Sequence, residues 1–201
     1  QHEWAISCTT PTGLATCKQL YAGLNNVRFF YLPYDLPWLV KKCVRQVKAH
    51  ALWIVETEIW PNLLLGAARQ GIHTALLNAR VSPTTGKRLA QLQFISRPVL
   101  RSLGTLVCQT EADAAVFENL GRKPDAICGN LKFDVALKPE LAAIGRSWRA
   151  SLQADQVLLF ASSRDGEEAL LLDALNRCQF FKRMPKASVW IVPRHPQRFE
   201  E

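Results

Sequence analysis

The sequence predicts an α/β protein built on parallel β-sheets, and three observations support this prediction. Short runs of apolar or β-branched residues alternate with longer amphipathic stretches along the 201 residues. The apolar runs are nearly continuous rather than alternating, which is typical of strands buried on both faces. The stretches between them are long enough for helices, so successive strands form βαβ units.

Eight strands and seven helices are expected to alternate along the chain. The strands are the apolar runs at 4–8, 27–31, 52–55, 74–77, 105–108, 126–128, 157–161 and 188–192. The helices are the amphipathic stretches near 12–22, 37–48, 61–70, 85–102, 111–120, 140–152 and 166–178. Thr10 or Thr12 can cap the first helix, and Pro37 can begin the second. Ser162 or Ser163, followed by glutamates, resembles a cap of the last helix.

The stretch 88–103 allows two interpretations. It carries Arg88, Arg97 and Arg101 among apolar residues. It can pack on the sheet as one helix, or as two helices broken at Pro98. Alternatively, its surface faces an acceptor or an anionic membrane.

A domain boundary is expected at residue 138. The alternation of strands and helices pauses at 134–140, where the sequence reads DVALKPE, and a new strand, VLLFA, begins after the next helix. The segment 1–138 is then a Rossmann-like sheet, and 139–201 is the opening βαβ unit of a second one. In such open sheets, ligands bind beyond the carboxyl ends of the strands.

Composition narrows the class of partner without choosing one. The chain is 48% hydrophobic and 21% charged, which favours a folded domain over a disordered one. Its net charge of +8 favours an anionic partner: nucleic acid, a phosphate-rich small molecule or an anionic membrane surface. The basic residues are scattered, and no block of five like charges occurs.

The chain lacks the sequence signatures of several classes of protein, which argues against those classes. The six cysteines show neither CxxC nor zinc-finger spacing. Cysteines within apolar runs, such as Cys108 and Cys128, are expected to be buried, reduced thiols. No apolar run is long enough to span a bilayer. The absence of P-loop, GxGxxG, HExxH, GxSxG and kinase signatures argues against an NTPase, dehydrogenase, zinc protease or serine hydrolase.

Two carboxylates follow the third predicted strand. Glu56 and Glu58 come directly after the apolar run LWIV, so Glu56 is expected at the end of a buried strand. Burying a carboxylate there costs free energy unless it is paired or used. The alternative is structural: one of the two glutamates caps the helix that follows.

A polar loop follows the sixth predicted strand. Asn130 and Lys132 lie in the sequence GNLKFD, where an amide and an ammonium group suit an anionic ligand. The alternative is an ordinary turn with a surface pair between Lys132 and Asp134.

A basic loop follows the eighth predicted strand. Arg194, His195 and Arg198 lie in PRHPQRF, and two arginines with a histidine at a strand end favour phosphate recognition. The alternative is a solvated basic loop.

Seven motifs in these segments together resemble the Kdo transferase family, which transfers 3-deoxy-D-manno-octulosonic acid (Kdo) in lipopolysaccharide synthesis. They are TTPTG (9–13), YLPYDLP (31–37), ETEIWPN (56–62), LNARVS (77–82), GNLKFD (129–134), DGEE (165–168) and VPRHPQRF (192–199). The resemblance runs the length of the chain. It implies the GT-B fold of two Rossmann-like domains, with 1–138 on the acceptor side and 139–201 beginning the domain that binds CMP-Kdo.

The resemblance also implies a mechanism: inverting transfer of Kdo from CMP-Kdo to a lipid A precursor, with neither metal nor cofactor. Glu56 and Lys132 match positions assigned to transition-state stabilisation, and Pro193 and Arg194 match positions that contact CMP. The weaker substrate-binding candidates are Glu58, Asn130 and His195. A membrane anchor and the general base are expected upstream of Gln1, and the parent protein is expected on the cytoplasmic face of the inner membrane. The implied partners are CMP-Kdo, the lipid A precursor and the membrane surface, not nucleic acid.

Two other hypotheses are kept. The parent protein is another GT-B enzyme that uses a different nucleotide sugar, or the chain as it stands is an inactive fragment that only binds ligand. The motif set argues against the first alternative. The second concerns this chain rather than its parent, and it is compatible with a Kdo transferase parent.

Overall fold

A computed structural model describes residues 2–136 and 138–199, apart from the side chain of Pro196. The chain divides into two compact units, Gln1–Val135 and Ala136–Glu201. Each unit contains parallel strands connected through helices, so the prediction of an α/β fold with parallel sheets is confirmed. The acceptor and donor roles expected for the two segments stay predictions.

All eight predicted strands are present in the described residues. They are β1 (Trp4–Cys8), β2 (Val27–Tyr31), β3 (Ala51–Val55), β4 (His73–Ala79), β5 (Thr105–Cys108), β6 (Ala126–Ile127), β7 (Gln156–Ser163) and β8 (Ala187–Pro193). The described helices are α1 (Pro11–Leu20), α2 (Pro37–Val47), α3 (Pro61–Ala68), α4 (Pro83–Gln91), α5 (Gln93–Arg101), α6 (Glu111–Asn119), α7 (Pro139–Ser151), α8 (Glu167–Arg177) and α9 (Phe180–Arg183). Two 3-10 turns, Leu131–Asp134 and Pro196–Arg198, complete the set.

The predicted helix at 85–102 is two helices, and the break is not at Pro98. The chain turns at Leu92, whose φ of −102° and ψ of 39° leave the helical region. The Ser96 hydroxyl donates to the Leu89 carbonyl at 2.8 Å, which satisfies a carbonyl at the end of α4. Pro98 instead lies inside α5.

Strands in the first unit form two hydrogen-bonded sheets, and β4 lies inside the larger one. One sheet pairs β1 with β2, and the other has the order β3-β4-β5-β6. The ring of Trp4 on β1 lies 5.5 Å from that of Trp53 on β3, edge to face. In the second unit, β7 pairs with β8. Because neighbouring strands are parallel, the carboxyl ends within each sheet lie along one edge.

Burial of the strands differs from the expectation that both faces are covered. β4 meets it, with Leu76 and Ala79 fully buried in a core formed with residues of α2, α3, α5 and α6. Other strands do not: Trp53 on β3 is 57% exposed and Leu159 on β7 is 56% exposed. Among the described residues of the second unit, β7 and β8 form a two-stranded sheet, and a two-stranded sheet covers little apolar surface by itself.

All six cysteines are free, as expected, but they are not uniformly buried. Cys108 is fully buried on β5, and burial, followed by the negative charge of Asp113, raises the pKa of its thiol to about 11. Cys128 and Cys178 are exposed, so the expectation of burial was wrong for Cys128. Cys128 follows β6, a two-residue strand at the edge of the sheet, where none of the described elements buries it.

Candidate functional site

The carboxyl edge of the four-stranded sheet carries the candidate residues of the first unit. Glu56 follows β3 directly, and Lys132 lies in the 3-10 turn that follows β6. Because β3, β4, β5 and β6 are parallel, both loops leave the sheet from the same edge. The two strands are the outer members of the sheet, however, so sheet order alone separates them by about 14 Å.

Glu56 has an unusual backbone conformation. Its φ is +68°, the left-handed region that non-glycine residues seldom occupy. Its amide donates to the Leu77 carbonyl of β4 at 2.9 Å, which fixes the start of the loop. The side chain is exposed and has no hydrogen-bond or ionic partner among the described residues. The expectation that Glu56 lies at the end of a buried strand is therefore wrong, because Val55, the last residue of β3, is also exposed.

Neither glutamate caps α3, because Asp35 does. The Asp35 carboxylate accepts from the amides of Asn62 at 2.9 Å and Leu63 at 2.8 Å, both in the first turn of α3. Asn62 Nδ2 donates in return to the Asp35 carbonyl at 2.6 Å. This clamp joins the motifs YLPYDLP and ETEIWPN, and it leaves Glu56 and the exposed Glu58 without a capping role.

Replacing Asp35 by alanine is expected to lower the free energy of unfolding by about 1–2 kcal/mol. The substitution leaves two first-turn amides of α3 without their acceptor and removes a negative charge from the positive end of the helix. Chemical denaturation measures the loss. Glu58→Gln is the matched control, since Glu58 is exposed and caps nothing, and its effect should stay within about 0.5 kcal/mol. Equal losses in the two variants would contradict the assignment of the cap to Asp35.

Lys132 lies in a turn that its neighbours hold. Gly129 has a φ of +77°, and the Asn130 Oδ1 atom accepts from the Lys132 amide at 3.0 Å. The Lys132 ammonium is 5.3 Å from the centroid of the Phe133 ring. Within the described part of the chain Lys132 forms no ion pair, so the surface pair with Asp134 is absent. Asn130 thus organises the turn, and the Lys132 side chain is exposed.

Asn78 attaches this turn to β4, which lies two strands away from β6 in the sheet. Its Oδ1 atom accepts from the Leu131 amide at 3.1 Å, and its carbonyl accepts from Gln109 Nε2 at 3.0 Å. Asn78 lies on β4, directly after Leu77, the residue that binds the Glu56 amide. The loops of Glu56 and Lys132 are therefore attached to adjacent residues of one strand.

The sequence motifs contained Asn78 and Asp35, but residue type and spacing gave no sign of their contacts. Asp35 and Leu63 are 28 positions apart, and Asn78 and Leu131 are 53 apart. One local prediction in a neighbouring motif is confirmed: Thr10 caps α1, accepting from the Gly13 amide at 3.1 Å.

In the second unit, the candidate residues lie at the carboxyl ends of β7 and β8. Pro193 pairs with Ser163 in the sheet register, and the Arg194 amide donates to the Ser163 carbonyl at 2.9 Å. The side chains of Arg194 and His195 are exposed. Ser162 has a φ of +63°, which marks a bend next to this edge.

Arg198 is held by carboxylates of the same unit. Its guanidinium lies 3.0 Å from a Glu168 oxygen and 3.9 Å from an Asp165 oxygen. The Ser163 hydroxyl donates to the same Glu168 oxygen at 2.6 Å. The hydrogen bond from Ser163, followed by the one from Arg198, lowers the pKa of the Glu168 carboxyl to about 2. Arg198 is thus already bound to Glu168. The hypothesis of a phosphate site therefore retains Arg194 and His195.

The start of α8 differs from the predicted serine cap. Its N-cap is Gly166, with a φ of +82°, and no side chain caps it. Ser163 donates to Glu168 instead of accepting from helix amides, and Ser162 lies outside the cap position. Glu167 accepts from the Arg164 amide at 2.8 Å. Two carboxylates therefore occupy the first turn of α8, so an anionic ligand is better placed beside β8.

Two properties bear on metals and membranes. Across residues 2–136 and 138–199, no group of three or more histidine, cysteine, aspartate or glutamate side chains could hold a metal ion. The expected independence from metal stays a prediction. None of the described helices combines the length and the apolarity needed to cross a bilayer.

The fold and its strand-end residues define an α/β protein with candidate ligand-binding groups at the carboxyl edges of parallel sheets. Residues 1–135 match the family described as 3-deoxy-D-manno-octulosonic-acid transferase (kdotransferase), so the chain belongs to the Kdo transferase family. The resemblance carried by the seven motifs is confirmed.

Curated relatives agree with this assignment. The 3-deoxy-D-manno-octulosonic acid transferase of Bordetella pertussis is 33% identical over 200 residues, 98% of this chain and 46% of that protein. The transferase of the same name from Haemophilus influenzae is 27% identical over 94% of this chain and 44% of its own length. A bifunctional glycosyltransferase/methyltransferase of Fusobacterium nucleatum is 28% identical over 96% of this chain and 30% of its own length. The chain thus spans about half, or less, of the relatives it matches.

Proposed function

We propose that the full-length protein containing this chain transfers Kdo from CMP-Kdo to a lipid A precursor, lipid IVA. Membership of the Kdo transferase family over residues 1–135 supports the reaction. The assignment of Glu56 and Lys132 to the reaction rests on one observation: their loops are attached to adjacent residues of β4. This attachment gives one edge of the sheet a carboxylate and an ammonium group, both exposed.

The proposed reaction is an inverting displacement. A carboxylate base takes a proton from an acceptor hydroxyl, and the oxygen attacks the anomeric carbon of Kdo as its bond to the CMP phosphate breaks. Positive charge develops on the sugar and negative charge on the departing phosphate. Glu56 stabilises the former and Lys132 the latter, because fixed charges stabilise developing charge, most strongly once the bound substrates exclude water. Lys132 supplies positive charge without a metal or cofactor. The base is expected in the part of the protein upstream of this chain.

The proposed donor site lies at the carboxyl edge of β7 and β8. Arg194 binds the CMP phosphate through a charge-assisted hydrogen bond, with Pro193 and His195 as neighbouring contacts. The tie between Arg198 and Glu168 supports this assignment, because it leaves Arg194 as the exposed arginine of the loop. In this proposal the second unit belongs to the donor domain of a GT-B enzyme, and the first unit to the acceptor domain. Glu58 and Asn130 are secondary candidates for acceptor contacts.

A transfer assay with the full-length protein tests the proposal. Kdo-lipid IVA should form from CMP-Kdo and lipid IVA, as detected by mass spectrometry, and no sugar should be transferred from UDP-N-acetylglucosamine. Arg194→Ala should raise the KM for CMP-Kdo about 10- to 100-fold, the equivalent of one hydrogen bond to a charged group. Arg146→Ala, an exposed arginine on α7, is the matched control and should leave KM unchanged. Transfer from UDP-N-acetylglucosamine alone would instead identify a different nucleotide-sugar enzyme.

The junction of α4 and α5 supports a second part of the proposal, contact with the inner membrane from its cytoplasmic face. Three apolar side chains are exposed there: Leu92, Phe94 and Ile95, with Phe94 76% exposed. The exposed cations Lys87 and Arg88 lie beside them in sequence. The opposite face of α5 packs into the core. The segment thus combines the two interpretations that its sequence allowed, packing and exposure.

Vesicle co-sedimentation of the 201-residue chain tests this contact. Neutralising Arg88, Arg97 and Arg101 to glutamine should weaken binding to anionic vesicles about 100-fold, since each cation near an anionic surface contributes about 1 kcal/mol. Neutralising three exposed lysines elsewhere in the first unit is the matched control: Lys18, Lys41 and Lys123. Salt-sensitive binding that survives the arginine substitutions, or falls equally in the control, would remove this segment from the proposal.

A further inference from the structure

We infer that Asn78 is a positioning residue for Lys132: its side-chain amide holds the 131–134 turn over the end of β4, beside the loop of Glu56. The inference rests on the proposed function and adds to it a residue that makes no direct contact with the reacting groups. The contact that carries it is the 3.1 Å hydrogen bond from the Leu131 amide to Asn78 Oδ1.

The turn needs such a restraint. Residues 131–134 are all exposed, so little packing fixes them. The strand they follow, β6, has only two residues and lies at the edge of the sheet. Asn130 organises the turn internally through the Lys132 amide, but that bond does not attach the turn to the sheet. In the described structure, Asn78 makes the side-chain attachment.

Asn78 has the properties of a fixed attachment point. It is only 6% exposed, and its carbonyl is held by the buried Gln109. Its φ of +51° lies where the register between β4 and β5 shifts, between Leu76 and Ala79. Asparagine tolerates this conformation better than most residues. Asn78 is therefore a rigid, buried strand residue whose side-chain oxygen is directed at the loop, so it can fix the position of that loop.

Attachment to β4 also brings the turn of Lys132 towards the loop of Glu56. Leu77, the preceding residue, accepts from the Glu56 amide at 2.9 Å. A turn that stayed over β6 would keep Lys132 about three strand spacings from β3. Because an error of about 1 Å in a catalytic group can cost about 100-fold in rate, loss of this restraint should be visible in kcat.

Asn78→Gly in the full-length protein tests the inference. Glycine accepts the positive φ without strain, so the substitution removes chiefly the amide. We expect kcat for Kdo transfer to fall about 10- to 100-fold, with KM for CMP-Kdo within about twofold, because a transition-state contact is displaced. In a Lys132→Ala background the same substitution should lower kcat no further. Asn78→Asp keeps an acceptor for the Leu131 amide and should recover most of the rate.

A matched control separates positioning from stability. Thr74 is a buried residue of the same strand whose hydroxyl donates to the Ser102 carbonyl at 2.8 Å. Thr74→Val removes a comparable hydrogen bond at the other end of β4, so it should lower the melting temperature but not kcat. If Asn78→Gly does not fold, Asn78→Ser replaces it, since the shorter hydroxyl cannot reach the Leu131 amide.

The outcomes distinguish a failure of the inference about Asn78 from a failure of the proposed function. If Lys132→Ala is slow and the folded Asn78 variant keeps near-normal kcat, the inference is overturned and the proposed function stands. A rate loss that multiplies fully with that of Lys132→Ala also overturns it, because Asn78 would then act through another group. If Lys132→Ala itself keeps near-normal kcat, the role of Lys132 in the proposed function fails.

Discussion

Replacing Glu56 by glutamine in the full-length protein is expected to lower kcat for Kdo transfer by about 100-fold, with little change in folding. The amide keeps the shape of the side chain and removes the negative charge that stabilises the sugar in the transition state. Stability should be preserved because the Glu56 side chain is exposed and its amide, not its carboxylate, bonds to β4. Steady-state kinetics and a thermal melt measure the two effects separately.

Glu58→Gln is the control for this experiment. Glu58 lies two residues further along the same loop and is also exposed. It does not cap α3, because the Asp35 carboxylate binds the amides of the first turn. An acceptor contact by Glu58 would raise the KM for the acceptor, so the substitution should leave kcat and the melting temperature nearly unchanged. If Glu58→Gln loses activity and Glu56→Gln keeps it, the catalytic carboxylate is Glu58.

Lys132→Ala is expected to lower kcat by a similar factor, about 100-fold, because the departing phosphate loses its positive partner. Lys132→Arg should recover only part of the rate, since a planar guanidinium places its charge differently from an ammonium group. Rapid-quench measurement of the chemical step would separate this loss from slow product release. Lys123→Ala removes another exposed lysine of the first unit and should leave the rate unchanged. Equal losses in the two lysine variants would indicate a general effect of charge rather than a role for Lys132.

Local patterns in the sequence predicted the order and type of the elements well. An apolar run such as 105–108 becomes a strand because its residues favour extended backbone and burial, and both preferences act over a few positions. The same logic placed Glu56 and Lys132 in loops at the carboxyl edge of one sheet. It also placed Arg194 at the end of β8.

Contacts between distant segments were beyond that logic. Nothing near Asp35 in the sequence indicates that its carboxylate binds the first turn of α3, 28 positions away at Leu63. The hydrogen bond between Asn78 and Leu131 joins residues 53 positions apart, at a place where the register of β4 shifts. Both contacts arise from tertiary packing, which residue type and spacing do not encode.

Solvent exposure was the other weak point of the sequence prediction. Apolar runs indicated burial, yet Trp53 and Leu159 lie largely open, because covering a strand depends on which elements pack over it. Glu56 is itself exposed and needs no partner in the described structure, because a carboxylate in contact with water carries little desolvation cost.

The most direct test of the account is a double-mutant cycle between Glu56 and Lys132 in the full-length protein. The central claim is that the two residues act on one transition state, although they follow opposite outer strands of the sheet. Single-turnover rates with CMP-Kdo and lipid IVA would be compared for Glu56→Gln, Lys132→Ala and the double variant. Groups that act as a unit show strongly non-additive losses, so the double variant should be about as slow as the slower single variant. Losses that multiply to about 10,000-fold would show that the two residues act independently and would contradict the shared site.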